Sequence, residues 1–275
     1  MEQESRQPPV LSPQNLVTLG NLACGVGAIL LATSAILTED PQRFYHGALW
    51  LVLATFLDAV DGKLARLTGT ASPLGAQLDS LADAVTFGVA PAILASAMVQ
   101  YLGPEYGLKI HPRLLIIAPI IYSCCAVLRL ARFNIDHESE DLRKDNAKFI
   151  GLPTPGAAAL PVAFVLLFFG IEDMMLVTVP EETIGLIRTW VLRLIPVSLI
   201  GLALLMVSRV PYPHFFAWMT RSRQPVKTLA KFVVLAGLLF LEPEFALMLM
   251  ALLFVLVPAL RSLPTLLRTK SSSAS

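Results

Sequence analysis

Long apolar runs broken by short polar stretches dominate this chain. A helix that crosses a hydrocarbon core needs roughly 20 mostly apolar residues. On that ruler eight segments stand out, at about 16–37, 45–66, 77–101, 113–134, 154–171, 189–208, 228–241 and 245–262. The first lies in a charge-free stretch between Arg6 and Glu39. The last two read as a hairpin turning at Glu242-Pro243-Glu244, and the charge-free core of the seventh, Phe232 to Leu241, is short. Helices satisfy their own backbone amides inside hydrocarbon. The predicted fold class is therefore all-α, a polytopic integral membrane helical bundle of about eight transmembrane helices.

Composition agrees with this pattern. Of 275 residues, 55% are hydrophobic and 15% charged, and mean hydropathy is +0.68. Soluble domains carry about 25% charged residues. Net charge is only +1, though the charges are unevenly spread, and no nucleic-acid partner is expected. Cys24, Cys124 and Cys125 lie inside apolar runs, without the spacing of a disulfide framework or a zinc site. They read as small packing residues. The polar start, MEQESRQPPVLSPQ, lacks the basic region and cleavage site of a signal peptide.

Loop charge orients the spans. With eight of them, both termini share a side with the loops after the second, fourth and sixth. That side takes most of the 21 Lys and Arg, among them Lys63, Arg66, Arg129, Arg132, Arg143, Lys144 and Lys148. The other side holds Arg43, Lys109, Arg113, Arg188 and Arg193 beside the acidic pairs Glu172-Asp173 and Glu181-Glu182. Positive charge concentrates on the cytoplasmic side of membrane proteins. The termini are thus expected in the cytoplasm of a multi-pass protein of the cell (inner) membrane. The largest polar loop, NIDHESEDLRKDNAK, reads as a solvated connector on that side.

One stretch breaks the hydropathy pattern: DAVDGKLARLTGTASPLGAQLDSLAD, with Asp58, Asp61, Asp79 and Asp83. Spacings of three and four put each pair on one helix face. Gly69, Pro73 and Gly75 mark a turn between the two helices. Two helices joined there would bring both pairs together in a negative pocket that repels itself unless cations fill it. Hard divalent ions such as Mg²⁺ or Mn²⁺ take oxygen ligands, so a one- or two-metal site is the natural resolution. The second helix enters from the outer side near Tyr45, and at about 1.5 Å per residue Asp58 lies roughly 20 Å deep. Ionisable groups at such depth line polar cavities or pathways.

The pattern Asp58-x-x-Asp61-Gly62-x-x-Ala65-Arg66, eight residues, then Gly75-x-x-x-Asp79-x-x-x-Asp83 resembles the signature of the CDP-alcohol phosphotransferase family. Every fixed position is filled at the family's spacing. The resemblance implies a membrane enzyme that moves a substituted phosphate from a CDP-linked donor to an alcohol and releases CMP. It implies that Asp58, Asp61 and Asp79 hold one metal, and that Asp83 completes a two-metal site (Mg²⁺ or Mn²⁺) and deprotonates the acceptor. Gly62, Ala65, Arg66, Thr68 and Gly75 would contact the CDP-diacylglycerol donor, with Asn15 and Thr18 as further nucleotide contacts. Gln14 separates Pro13 from Asn15 where the family often has Pro-Asn. Arg66 offers a fork that matches phosphate oxygens, and a lipid donor explains the depth, since its acyl chains never leave the bilayer. The implied organisation is a polar cytoplasmic tail (1–14), a six-helix CDP-alcohol phosphotransferase domain (15–227), a C-terminal transmembrane hairpin (228–262) and a cytoplasmic tail (263–275). The family also implies a homodimer among membrane lipids, and the loop charge puts the aspartate motif, hence the active site, on the cytoplasmic side.

Other stretches address the acceptor. AVLRLARFNI, FIGLPTPGAAALP, NLVTLGNLACGVGAI and MVSRVPYPHF resemble the phosphatidylserine synthase branch, whose members transfer a phosphatidyl group from CDP-diacylglycerol to L-serine. Serine is a zwitterion, and its carboxylate needs a cation near the metals. Arg129 and Arg132 share a helix face and, with Asn134, are the candidates for binding serine or the donor's phosphate. Arginines at that level could instead snorkel to lipid headgroups. Two competing readings remain: the same chemistry with glycerol phosphate, inositol or inositol phosphate, and a cation transporter that uses the aspartates as an ion path. Transport predicts acidic groups along several helices and broken helices in paired halves, whereas these carboxylates cluster once.

Overall fold

The computed structural model describes residues 12–68, 72–140, 149–176, 179–212 and 236–272, without the side chains of 62–68, 136–140, 149–150 and 263–272. Within them the chain is helical apart from one short strand pair. The elements are α1 (Pro13–Leu37), α2 (Gln42–Thr68), α3 (Pro73–Thr86), α4 (Ala90–Leu102), α5 (Pro112–Glu140), β1 (Phe149–Ile150), α6 (Thr154–Gly170), α7 (Glu181–Val207), β2 (Pro211–Tyr212) and α8 (Pro243–Ser272).

Six segments among the described residues are long and apolar enough to cross a membrane: Pro13–Leu37, Pro73–Leu102, Pro112–Ile135, Thr154–Asp173, Glu181–Val207 and Pro243–Ser262. They correspond to the first, third, fourth, fifth, sixth and eighth expected spans. The second is the 27-residue α2, which also carries Asp58, Asp61, Lys63 and Arg66. Most of the seventh lies outside the described residues, which resume as helix at 236–241. The protein is a polytopic, all-helical membrane bundle.

The third span is interrupted, which its hydropathy did not reveal. α3 stops at Thr86 and α4 starts at Ala90. Pro91 has no N–H to give the carbonyl four residues back, that of Phe87. The buried Tyr122 hydroxyl donates to that carbonyl instead, at 3.1 Å. The break falls one turn after Asp83, whose own carbonyl accepts from the amides of Phe87 (2.9 Å) and Gly88 (3.2 Å).

α6 is the central helix, packed against α2, α4, α7 and α8 and buried along nearly its whole length. α1 packs on α2, α3 and α4, and α5 lies against α7 and α4. Ala28, Ala32 and Ala35 of α1 and Ala48 of α2 are fully buried. Helices in hydrocarbon associate through close van der Waals contact, which small side chains permit. Leu, Ile and Val facing outward on α1, α5 and α7 (Leu30, Ile116, Val197) are exposed as lipid-facing positions should be.

Candidate active site

α1 carries a polar stripe inside an apolar helix. Ser12 caps it, its Oγ accepting from the Asn15 amide at 3.2 Å. Gln14, Asn15, Thr18 and Asn21 then follow at helical spacing and are all buried. Buried amides and hydroxyls are costly without partners, so what this stripe faces matters. It faces the aspartates. The α1 helix packs along both α2, which brings Asp58 and Asp61, and α3, which brings Asp79 and Asp83.

Carboxylate oxygens of Asp58, Asp79 and Asp83 lie within 4.8 Å of one another. Asp61 is buried beside them and accepts a hydrogen bond from the Thr18 hydroxyl. Its other oxygen, Oδ1, is buried with no hydrogen-bond partner. Asn21 donates from Nδ2 to Asp83 Oδ1 at 3.2 Å, and the Thr86 hydroxyl donates to the Asn21 carbonyl at 3.2 Å. The charges of Asp58, Asp61, Asp79 and Asp83 act on one another across the pocket.

Converging carboxylates and an orphaned buried carboxylate oxygen are the donor set a hard divalent cation takes. The residues fit that group: Asp58, Asp79 and Asp83 could hold one ion, with the free oxygen of Asp61 as a further ligand.

The α1–α3 seam sets this geometry through two close approaches. A Cβ on Gly25 would lie 2.6 Å from Thr86 Oγ1 and 2.8 Å from Thr86 Cα, so only glycine lets α3 sit this near α1. A Cβ on Gly75 would meet Ser72 Oγ at 3.2 Å and Asn15 Oδ1 and Gln14 Nε2 at 3.3 Å. Gly75 therefore lies against the start of the polar stripe. Gln14, the residue that departs from the family pattern, is buried in the same place.

The basic residues of α5 divide. Arg129 is turned into the bundle, where Nη1 donates to Thr154 Oγ1 at 2.9 Å and the guanidinium sits 5.3 Å from the Phe133 ring centroid. Its charge acts on Asp83. Asn134 exchanges hydrogen bonds with the Ser80 hydroxyl, at 2.9 and 3.1 Å, next to Asp79. It ties α5 to α3. Arg132 is half-buried one turn from Arg129. Of the expected donor contacts, Gly62 and the side chains of Ala65, Arg66 and Thr68 have no described surroundings, and residues 141–148 of the expected connector lie outside the described residues.

Comparison with known proteins decides the family. The model for CDP-alcohol phosphatidyltransferases matches residues 12–191. The chain belongs to that family. Its relatives share more than the motif. A Bacillus subtilis protein named CDP-diacylglycerol–serine O-phosphatidyltransferase is 32% identical over 200 residues, covering 73% of this chain and 89% of its own. A Helicobacter pylori protein of the same name is 33% identical over 234 residues, 85% of this chain and 83% of its own. A third so named, from Methanocaldococcus jannaschii, is 33% identical over 207 residues, 75% of this chain and 76% of its own.

Within this CDP-alcohol phosphatidyltransferase, sequence reasoning missed Asn21, Ser80 and Thr154. Asn21 had a readable signal, since Gln14, Thr18 and Asn21 recur at helical spacing in a run that is otherwise apolar. Thr154 had none beyond its place in GLPTP.

Proposed function

We propose that this enzyme transfers a phosphatidyl group from CDP-diacylglycerol to L-serine, giving phosphatidylserine and CMP. The observation that carries the reading is the convergence of carboxylate oxygens of Asp58, Asp79 and Asp83 within 4.8 Å of one another. The names of the relatives support serine as acceptor.

Two divalent ions, Mg²⁺ or Mn²⁺, held by the four aspartates would neutralise the diphosphate and stabilise the departing CMP. Asp83 takes the proton of the serine hydroxyl. The serine oxygen bonds to the phosphorus that carries diacylglycerol, and the bond from that phosphorus to CMP breaks. Arg129 and Arg132 meet the serine carboxylate or the donor phosphate, since a guanidinium fork matches both. Gly62, Ala65, Arg66, Thr68 and Gly75, with Asn15 and Thr18, line the donor side. Asn134, engaged with Ser80, shapes the acceptor side through α3. Eight spans, an active site and termini in the cytoplasm, a catalytic unit over 15–227 followed by a hairpin over 228–262, and a homodimer complete the reading.

The test is CMP release from CDP-diacylglycerol by purified protein, with serine, glycerol phosphate, inositol and inositol phosphate offered separately. Serine-dependent release with phosphatidylserine as product is expected. Release that another alcohol stimulates and serine does not would refute the serine assignment.

A further inference from the structure

The GLPTP segment, Gly151 to Pro155, lies outside the aspartate motif, yet the fold fixes it with unusual care. Gly151 has φ +93°, a conformation that side chains with a Cβ rarely adopt. A Cβ there would also lie 2.4 Å from the Met206 carbonyl oxygen. Two demands thus select glycine at one position. Its amide donates to the Val210 carbonyl at 2.8 Å, and the amide of Leu152, fully buried, donates to the Leu205 carbonyl at 3.1 Å. Just before it, β1 pairs antiparallel with β2, Phe149 opposite Tyr212 and Ile150 opposite Pro211. The segment is therefore stitched to the end of α7 on both sides of the glycine.

Thr154 is what this stitching delivers. It opens α6, is fully buried, and places its hydroxyl 2.9 Å from Nη1 of Arg129. An arginine at this level of a span would otherwise be free to swing toward lipid headgroups. The hydrogen bond to Thr154 and the stacking on Phe133 hold it against the bundle instead.

We propose that Thr154 is a positioning residue that sets acceptor recognition, by holding the Arg129 guanidinium where the serine carboxylate binds. This rests on the reading of serine as the acceptor. Thr154 touches neither substrate nor reacting atoms and acts through Arg129. With Arg129 assigned to the serine carboxylate, the donor rests on the aspartate motif of α2 and α3 and is expected not to depend on Thr154.

The experiment compares wild type, Thr154→Val and Thr154→Ser in the full purified chain, measuring KM for serine and for CDP-diacylglycerol together with kcat. A hydrogen bond to a charged group is worth enough that its loss is expected to raise the serine KM about tenfold or more. The CDP-diacylglycerol KM should stay within about twofold, since a merely structural defect would move both. Thr154→Ser keeps the hydroxyl and should restore the serine KM. Should Thr154→Val fail to fold, Thr154→Ala removes the hydroxyl without adding a methyl in its place and is expected to give the same rise. Placed on Arg129→Lys, Thr154→Val should add little, because the geometry it protects is already gone. A wild-type serine KM in both hydroxyl-less variants, or equal rises for the two substrates, would overturn the proposal while leaving the proposed function standing. No serine-dependent CMP release from wild type would remove both, and that arm is read before any variant.

Discussion

At the end of the bundle where α6 finishes and α8 begins, charged and polar side chains meet fixed partners. Arg43 bonds Asp40 at 3.1 Å and also donates to the Ser34 hydroxyl. Arg188 donates to the Phe168 carbonyl at 2.9 Å and to Glu172 at 2.7 Å, and stacks over the Phe168 ring. Glu244 accepts from the Tyr45 hydroxyl at 3.0 Å, and the buried Glu242 accepts from the Leu176 amide at 2.5 Å. The opposite end, with the four aspartates, is built differently. There the buried oxygens Gln14 Oε1, Asn21 Oδ1 and Asp61 Oδ1 have no partner, and carboxylates crowd one another. One end closes its polar groups internally and so holds helices together. The other leaves acceptors open, an arrangement that costs stability and is useful only if cations and substrate arrive.

That contrast can be broken by substitution. The largest effect is expected for Asp83→Asn, which should cut kcat about a thousandfold, within the range general bases contribute. CDP-diacylglycerol binding should survive, measured as retention of the lipid by the purified variant. Asn21→Leu comes next. It removes the donor to Asp83 without touching the aspartates, and partners of metal ligands are worth about 10- to 100-fold in metal affinity. Mn²⁺ titration followed by electron paramagnetic resonance should show the weakening, and an unchanged isotherm would contradict the role. Gly25→Ala should also act at this end, by forcing Thr86 away from α1. Overpacking costs about 1–3 kcal/mol, read as a lower melting temperature together with reduced turnover. The smallest effect belongs to the closed end. Arg188→Met should lower stability by about 0.5–1 kcal/mol, the worth of a partly exposed pair, and leave serine and donor kinetics within about twofold. Lost turnover there would blur the distinction between the two ends.

Much of this architecture was readable because hydropathy has one dominant period in a membrane. Six of the eight expected spans, the helical class and the aspartate pairs followed from apolar length and from spacings of three and four. The break after Asp83 did not, since the chain stays apolar from Ala84 through the Thr86–Ala90 gap and past Pro91. The joining of the two aspartate pairs was expected from the turn at Gly69–Gly75, but α1 is what packs along both helices and supplies Thr18 and Asn21. A single sequence shows which residues share a face of one helix. It does not show which third helix that face meets. Arg129 and Asn134 illustrate the same limit: five residues apart on α5, one bonds Thr154 of α6 and the other closes on Ser80 of α3. Only the neighbours α3 and α6 separate their roles.

The central claim is that the acceptors left open at the aspartate end are there to hold divalent cations. It is tested most directly by counting Mn²⁺ bound to the purified chain without substrate, for wild type and for Asp79→Asn. Saturable binding by wild type that Asp79→Asn weakens severely, with the fold intact by circular dichroism, is the predicted result. Equal binding by the two proteins, or none by wild type, would contradict the account.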